Sequence, residues 1–415
     1  MKFAHVGAVC LLAVSLPVSL PAAETLEQRL AATEARLAAL EHQDFRPQQI
    51  TATGFLRFAT ETQTSIQDSA GNNLSFRDEL TADEWNNRRL TRAGLQLNAR
   101  ISDQAEAVVQ VLSLGAEDYQ LSAQWAFVGY NLTPDLQLRA GRIVLPLYLH
   151  SQYLNAGYTH PWIEMPTEVY GAVRTQTFEG IDLSWNLNTG AINHRLNVFW
   201  GNNDVRSPVA PGIQLDFAVR HQHGINLRSS LGDFTSWLSF SNSLGTLDLT
   251  PVGAAAYSLD RDYVHYISGG GQYDNGELLL MAEFTELKVS APHGWFPTQP
   301  AGYLMAGYRF GKLMPHLTWG FVDSTGTVTD AGGEALYRSF AIRQKSWTLG
   351  ARYDVSNGLA VKAEVSRYYD FSHRGLVTRG VFEGPVDTIN CGPQGICAPH
   401  ESQPLVVRLA VDAVF

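Results

Sequence analysis

Two acids lie in an unusual setting in this chain: Glu164 and Glu168, within the segment Leu145 to Thr175. That segment reads as a connection, yet it is crowded with Leu, Tyr, Trp, Ile, Met and Val. A loop left in water rarely carries so much apolar surface. It makes sense if the segment folds inward and packs on a wall, presenting its carboxylates to an enclosed passage. Basic residues at inward-facing positions of the wall would be Arg57, Arg92, Arg139, Arg220, Arg352, Lys362 and Arg408, with Arg92, Arg139 and Arg408 near mid-strand. Acids facing bases across a narrow, partly dehydrated opening set up a transverse field that orients charged or dipolar solutes. We therefore take Glu164, Glu168, Arg57, Arg92, Arg139 and Arg408 as candidate constriction residues. For each base the plainer role is a solvated charge away from the narrowing, and for the acids it is to hold the loop through Arg174 or backbone amides. Tyr153, Tyr158, Trp162 and Tyr170 could offer a stacking surface for sugars, although anchoring the loop is their simpler role.

Other chemistry is poorly supported. The 12 His and many Asp and Ser fall in no nucleophile motif, and no catalytic residue is assigned. Gly269-Gly270-Gly271 sits inside a strand-like run and opens no helix, so a bulge or kink is expected rather than a phosphate cradle. Cys391 and Cys397 suit a local loop disulfide in an oxidising compartment. A metal site with His400 is the alternative, but it lacks the second ligand pair that zinc motifs carry. No metal or other cofactor is expected.

A net charge of −10 with no Lys/Arg tract argues against nucleic acid as a partner. Hydrophobic residues make up 45% of the 415 positions and charged ones only 17%, below the roughly 25% of globular chains. Past the leader, no run approaches the ~20 apolar residues of a spanning helix. With 36 Gly and abundant aromatics, this composition favours a large β protein.

From Ile50 onward one pattern repeats: a strand-length run, a tight turn, another run, a longer connection. The turns are centred on Ser102-Asp103-Gln104, Thr133-Pro134-Asp135, Asn188-Thr189-Gly190, Leu231-Gly232-Asp233, Asp274-Asn275-Gly276, Gly311-Lys312-Leu313 and Ser356-Asn357-Gly358. Their Gly, Asn, Asp and Pro supply the backbone angles that hairpins need. Longer connections are expected at 63–87, 145–175, 202–216, 245–261, 290–300, 324–344 and 371–403, with a short one at 117–119. Within runs the faces alternate: Ala93, Leu95, Leu97 and Ala99 oppose Arg92, Gln96, Asn98 and Arg100. Short turns at one end and long loops at the other, with apolar-out and polar-in alternation, predict an all-β transmembrane antiparallel barrel of about sixteen strands.

The last run, Gln403 to Phe415, puts Leu405, Val407, Leu409, Val411, Ala413 and Phe415 on one face and Arg408 and Asp412 on the other. It resembles the terminal strand of Gram-negative outer-membrane barrels, which ends on an aromatic residue read by the assembly machinery. Leu138 to Pro146 and Phe178 to Leu183 resemble the strands that feed and leave the constriction loop of trimeric porins. Before the barrel, residues 1–23 read as a signal peptide. Residues 24–44 carry Leu26, Leu30, Thr33, Leu37 and Leu40 at coiled-coil spacing, with Arg29 and Arg36 placed to reach Glu34 and Glu41 of neighbouring chains. A helical linker or plug is the alternative for 24–44. That heptad before a barrel at 45–415 is similar to the DcaP-like porins. The resemblance implies an outer-membrane homotrimer embedded in lipid and lipopolysaccharide, passing small hydrophilic solutes or ions by passive diffusion, and not an enzyme. A lipase- or protease-like barrel and an adhesive or structural barrel are the alternatives.

Overall fold

The computed structural model describes residues 49–77, 80–173, 175–210, 213–247, 257–373, 376–384, 397, 399 and 403–415. The expected signal peptide (1–23), the heptad segment (24–44), Arg174, Cys391 and His400 lie outside these residues, and with Cys391 lies the question of the Cys391–Cys397 pairing.

Sixteen antiparallel strands close into a barrel. They are β1 (Gln49–Gln63), β2 (Arg92–Arg100), β3 (Ala105–Leu114), β4 (Leu121–Thr133), β5 (Leu136–Val144), β6 (Thr177–Thr189), β7 (Ile192–Ala210) and β8 (Ile213–Leu231). The second half comprises β9 (Phe234–Leu247), β10 (Leu259–Asp274), β11 (Leu278–Val289), β12 (Gln299–Tyr308), β13 (Leu313–Asp323), β14 (Arg343–Ser356), β15 (Leu359–Tyr369) and β16 (Leu405–Val414). Each strand pairs with its sequence neighbour, and β16 closes on β1 from Phe55↔Val414 to Gln63↔Val406. Closure leaves no unpaired edge. Among the described residues no helix is long and apolar enough to cross a membrane, which says nothing about strands.

All seven tight turns stand where the Gly, Asn, Asp and Pro signals put them, between the strand ends just given. Alternation holds as well. Leu95, Leu97, Val361, Val365, Leu409 and Val411 are exposed on the outside of the ring, while Arg57, Lys362, Glu364, Arg408 and Asp412 are buried on the inside. At the other end, the connections 64–74 and 376–382 bury a small core of Ile66, Leu74, Phe76, Tyr368, Phe371 and Phe382. There Ser75–Phe76 pairs with Phe382–Glu383.

Three expectations are corrected. The segment 202–216 is no long loop: β7 runs to Ala210 and β8 starts at Ile213, extending the hairpin beyond the ring. Pro208 in that extension pairs opposite Gln214, and a strand with a free side tolerates the missing N–H. The glycine triplet makes no bulge, since β10 keeps its register on both neighbours through Gly269, Gly270 and Gly271. There the Phe234 ring would lie 3.1 Å from a Cβ on Gly271, so the missing side chain is filled by an aromatic neighbour. Arg220 leaves the inward row because register shifts at Gly201/Asn203 and Asn242/Leu244 carry it to the row of Leu244 and exposed Tyr263. It pairs with Asp204 at 2.7 Å.

Candidate functional site: the loop across the lumen

Between β5 and β6 the chain turns into the barrel and is held by inward-facing side chains from much of the ring. It enters low on the far wall, where Ser239 (β9) and Ser268 (β10) donate to the carbonyls of Pro146 and Leu147. Glu283 on β11 accepts from the Leu149 amide at 3.0 Å and from the Tyr170 hydroxyl at 2.8 Å. Trp162 is 0% exposed and donates its indole N–H to Thr318 on β13 at 2.8 Å. Burying one Trp removes about 200 Å² from water, worth ~5 kcal/mol before ordering costs. Leu145, Leu147, Tyr148, Met165 and Val169 join the same core with Phe178, Tyr266, Met281 and Tyr303 of the wall.

The loop tip is clamped on the seam where the barrel closes. Lys362 (β15) donates to the carbonyls of Gly157 and His160 at 2.6 Å each and of Trp162 at 3.1 Å, and pairs with Asp412 (β16) at 2.9 Å. Arg57 (β1) pairs with Asp412 at 2.6 Å and donates to the carbonyls of Ile163 and Trp162. Glu364 (β15) accepts from the amides of Ile163 and Glu164. Lys362, Arg57 and Glu364 thus hold the loop through its backbone. His160, beside Lys362 and Arg57, has both ring nitrogens buried without a partner. Burial first, then those two cations, holds its pKa well below the usual imidazole range.

Glu164 meets Arg89 and Arg408, each at 2.7 Å, and both arginines also bind Glu61 of β1. The Phe76 ring lies 5.0 Å from the Arg89 guanidinium carbon and 5.1 Å from that of Arg408. Burial raises the Glu164 pKa, but Arg89, Arg408 and Arg77 outweigh it and the carboxyl ends well below its ordinary value. Glu168, only 2% exposed, accepts from Gln344 on β14 at 2.8 Å. Here burial dominates over the hydrogen bonds, and the pKa is raised. Both acids are thus enclosed between the loop and the wall. Arg57, Arg408 and Glu164 are drawn together at the clamp, and Arg92 is nearby, donating to Asn155 at 3.1 Å. Arg139 stands apart on β5, paired with Asp182 of β6 at 2.7 Å.

Among the described residues of the loop the exposed ones, Gln152, Tyr153 and Thr159, are uncharged. The wall belonging to β2–β8 carries polar inward residues, among them Gln96, Gln110, Gln137, Arg139, Ser184, Arg195, Asn197, Asn226 and Arg228. At the tight-turn end it opens into a polar pocket lined by Asn98, Arg100, Glu106, Asn131 and Gln137. Sequence reasoning missed Glu61, Arg89, Arg195, Arg228, Glu364 and Asp412. Alternation alone could have found Arg195 and Arg228; Arg89 precedes its strand and gives no periodic signal.

No protein-family model and no curated protein matches this sequence. Solved structures do. The outer membrane channel DcaP of Acinetobacter baumannii superposes with a TM-score of 0.57 at 14% identity, covering 88% of this chain and 97% of that one. OmpF of Salmonella typhi, in complex with daunomycin, gives 0.54 at 14% over the same shares. OmpT of Vibrio cholerae, expressed in the outer membrane, gives 0.52 at 12%, again over 88% and 97%. At such identities the likeness concerns the fold, and this chain has the closed barrel fold of these outer-membrane proteins.

Proposed function

We propose that the chain is an outer-membrane porin: a passive channel for small hydrophilic solutes, narrowed by residues 145–175. The observation that carries this reading is the clamped loop. It is packed chiefly against β9–β16 and β1, and the polar inward residues of β2–β8 are the wall along which this reading places the passage. In this reading Arg57, Arg408, Glu164 and Glu168 set the constriction by holding the loop. Arg92 and Arg139, with Arg195 and Arg228, border the passage, and with a neutral loop face opposite they favour anions. The mature protein is a homotrimer in lipid and lipopolysaccharide, delivered by its signal peptide and by barrel-assembly machinery reading Phe415. Residues 24–44 form a periplasmic coiled coil, and Cys391 and Cys397 form a loop disulfide.

Planar-bilayer recording tests the channel. Stepwise conductance in groups of three, with a reversal potential on the anion side in a KCl gradient, is expected. Silence at high protein, together with hydrolysis of lipids or peptides in detergent, would replace the channel with a barrel enzyme.

A further inference from the structure

Arg195 on β7 and Arg228 on β8 are direct cross-strand partners. Both belong to the inward row, since their strand neighbours Asn197, Phe199 and Asn226 are buried inside while Val198, Ile225 and Leu227 are exposed outside. Like charges placed directly opposite on a sheet destabilise it. Elsewhere inside this barrel such a cost is met by carboxylates, as at Arg57–Asp412, Arg139–Asp182 and Arg408–Glu61. At Arg195 and Arg228 no described carboxylate forms an ion pair. Arg195 has one weak hydrogen bond, to Ser184 at 3.4 Å, and its Nε is buried with no partner. Asp182, whose charge acts on Arg195, already serves Arg139 and the Asn197 amide.

The loop completes the surroundings. Tyr153, 47% exposed, lies within electrostatic reach of Arg195, and His150 lies within reach of Arg228. His150 has a buried Nε2 with no partner. Burial, then Arg228, lowers its pKa to about 4, so at neutral pH it is an uncharged hydrogen-bonding group. Two guanidiniums thus stand side by side on the inner wall with no ion-paired carboxylate among the described residues.

We propose that the cross-strand pair Arg195 and Arg228 forms a binding subsite for the phosphoryl group of a passing solute. Cross-strand neighbours stand only about 5 Å apart at Cβ. Two like charges so close together suit a group carrying about −1.5 to −2 on a single centre at pH 7. A dicarboxylate of equal charge spreads it over two ends and can satisfy only one of them here. Guanidinium forks match phosphate oxygens in paired hydrogen bonds, which a chloride ion cannot exploit. This subsite rests on the channel reading for its purpose but not for its detection.

The test is equilibrium binding to the full chain purified in detergent, at constant ionic strength and pH 7.5, with inorganic phosphate, glucose 6-phosphate and succinate as probes. Phosphate or the phosphate ester is expected to bind at least about tenfold more tightly than succinate. Arg195→Gln and Arg228→Gln should each weaken that binding about tenfold or more, while Arg195→Lys keeps charge and loses only part of it. Binding of the ester alone supports the subsite and assigns it to organic phosphates; binding of both assigns it to the group itself. Succinate binding as tightly as either, or unchanged phosphate binding in both Gln variants, overturns the subsite. Heat-modifiable mobility on SDS gels shows that each variant barrel is folded. Wild-type silence in bilayers would remove the channel reading and leave the detergent result to decide the subsite.

Discussion

Glu164 and Glu168 stand one helical turn apart in sequence and are shifted in opposite directions, because Arg89 and Arg408 outweigh burial at Glu164 whereas burial outweighs its partners at Glu168. The free carboxyl of each titrates near 4.5. Glu164 is shifted down in the fold, so its ion pairs with Arg89 and Arg408 contribute fully above about 4.5 and are lost as pH falls through the folded value. Glu168 is shifted up, so the fold prefers its protonated form and its ionisation costs stability as pH rises above about 4.5. Glu164→Gln should therefore cost about 3 kcal/mol at pH 7, the lower range for breaking a buried pair, since it strands two arginines on Glu61. Glu168→Gln, which keeps an oxygen for Gln344, should be neutral or stabilising by about 1 kcal/mol at pH 7. Urea unfolding of the two variants at pH 7 measures both. The same sign for both would reject the opposed electrostatics.

The loop and the closure seam behave as one element. Arg57 and Glu61 come from the first strand, Arg408 and Asp412 from the last, and Lys362 and Glu364 from the one before it, so the clamp exists only when β1 has paired with β16. Gly157 is the contact point: a Cβ there would run into Arg57 Nη2 and Asp412 Oδ1. Gly157→Ala should lift the tip without changing any charge, and Lys362→Met should release three carbonyls at a cost of about 3 kcal/mol. Both are expected to give larger and noisier single-channel currents, and the double variant should be less than additive because each frees the same contact. Full additivity would mean that the tip is held elsewhere. Much of this element is legible in the sequence: the apolar content of 145–175 demands burial, and its flanking strands follow from Leu138–Arg139 and Phe178–Asp182 alternation. Of the partners of Glu164, Arg408 is legible on its inward row, but Arg89 and the shared Glu61 are not. Arg89 lies in an irregular segment, and Arg408 reaches Glu61 only through the β1–β16 register, which no local pattern encodes. The 202–216 hairpin was hidden for a related reason, because Pro208 reads as a breaker unless the strand has an unpaired side.

At the scale of the molecule the outer surface is uneven. Exposed aromatics are concentrated on β6 (Trp185), β7 (Trp200), β9 (Phe234, Phe240), β10 (Tyr263), β11 (Phe284), β12 (Tyr308) and β14 (Trp347, Tyr353), with Phe58 on β1 and Tyr130 on β4 outside that sector. Strands β2, β3 and β5 contain no aromatic residue, and their outward rows use Ala93, Ala99, Ala105, Ala107 and Ala140 among Leu and Val. Aromatic side chains anchor a barrel at the two lipid interfaces, whereas small residues let backbones approach closely. If the chain forms the proposed homotrimer, the aromatic-poor β2–β5 sector is the expected side to meet another copy and the aromatic-rich sector the expected side to meet lipid. Two substitutions on opposite sides separate these roles. Leu97→Arg on β2 should dissociate SDS-resistant trimers into folded monomers that keep their heat-modifiable mobility. Leu304→Arg on β12 faces the bilayer, where an arginine costs about 2–4 kcal/mol at mid-depth, so it should lower barrel stability while any trimer that forms stays intact. If residues 24–44 form the proposed coiled coil, removing them should act like Leu97→Arg and more weakly, since so short a segment is marginal alone. If Leu304→Arg were the variant that released monomers, the interface would lie on the aromatic side and the assignment of the two sectors would be reversed.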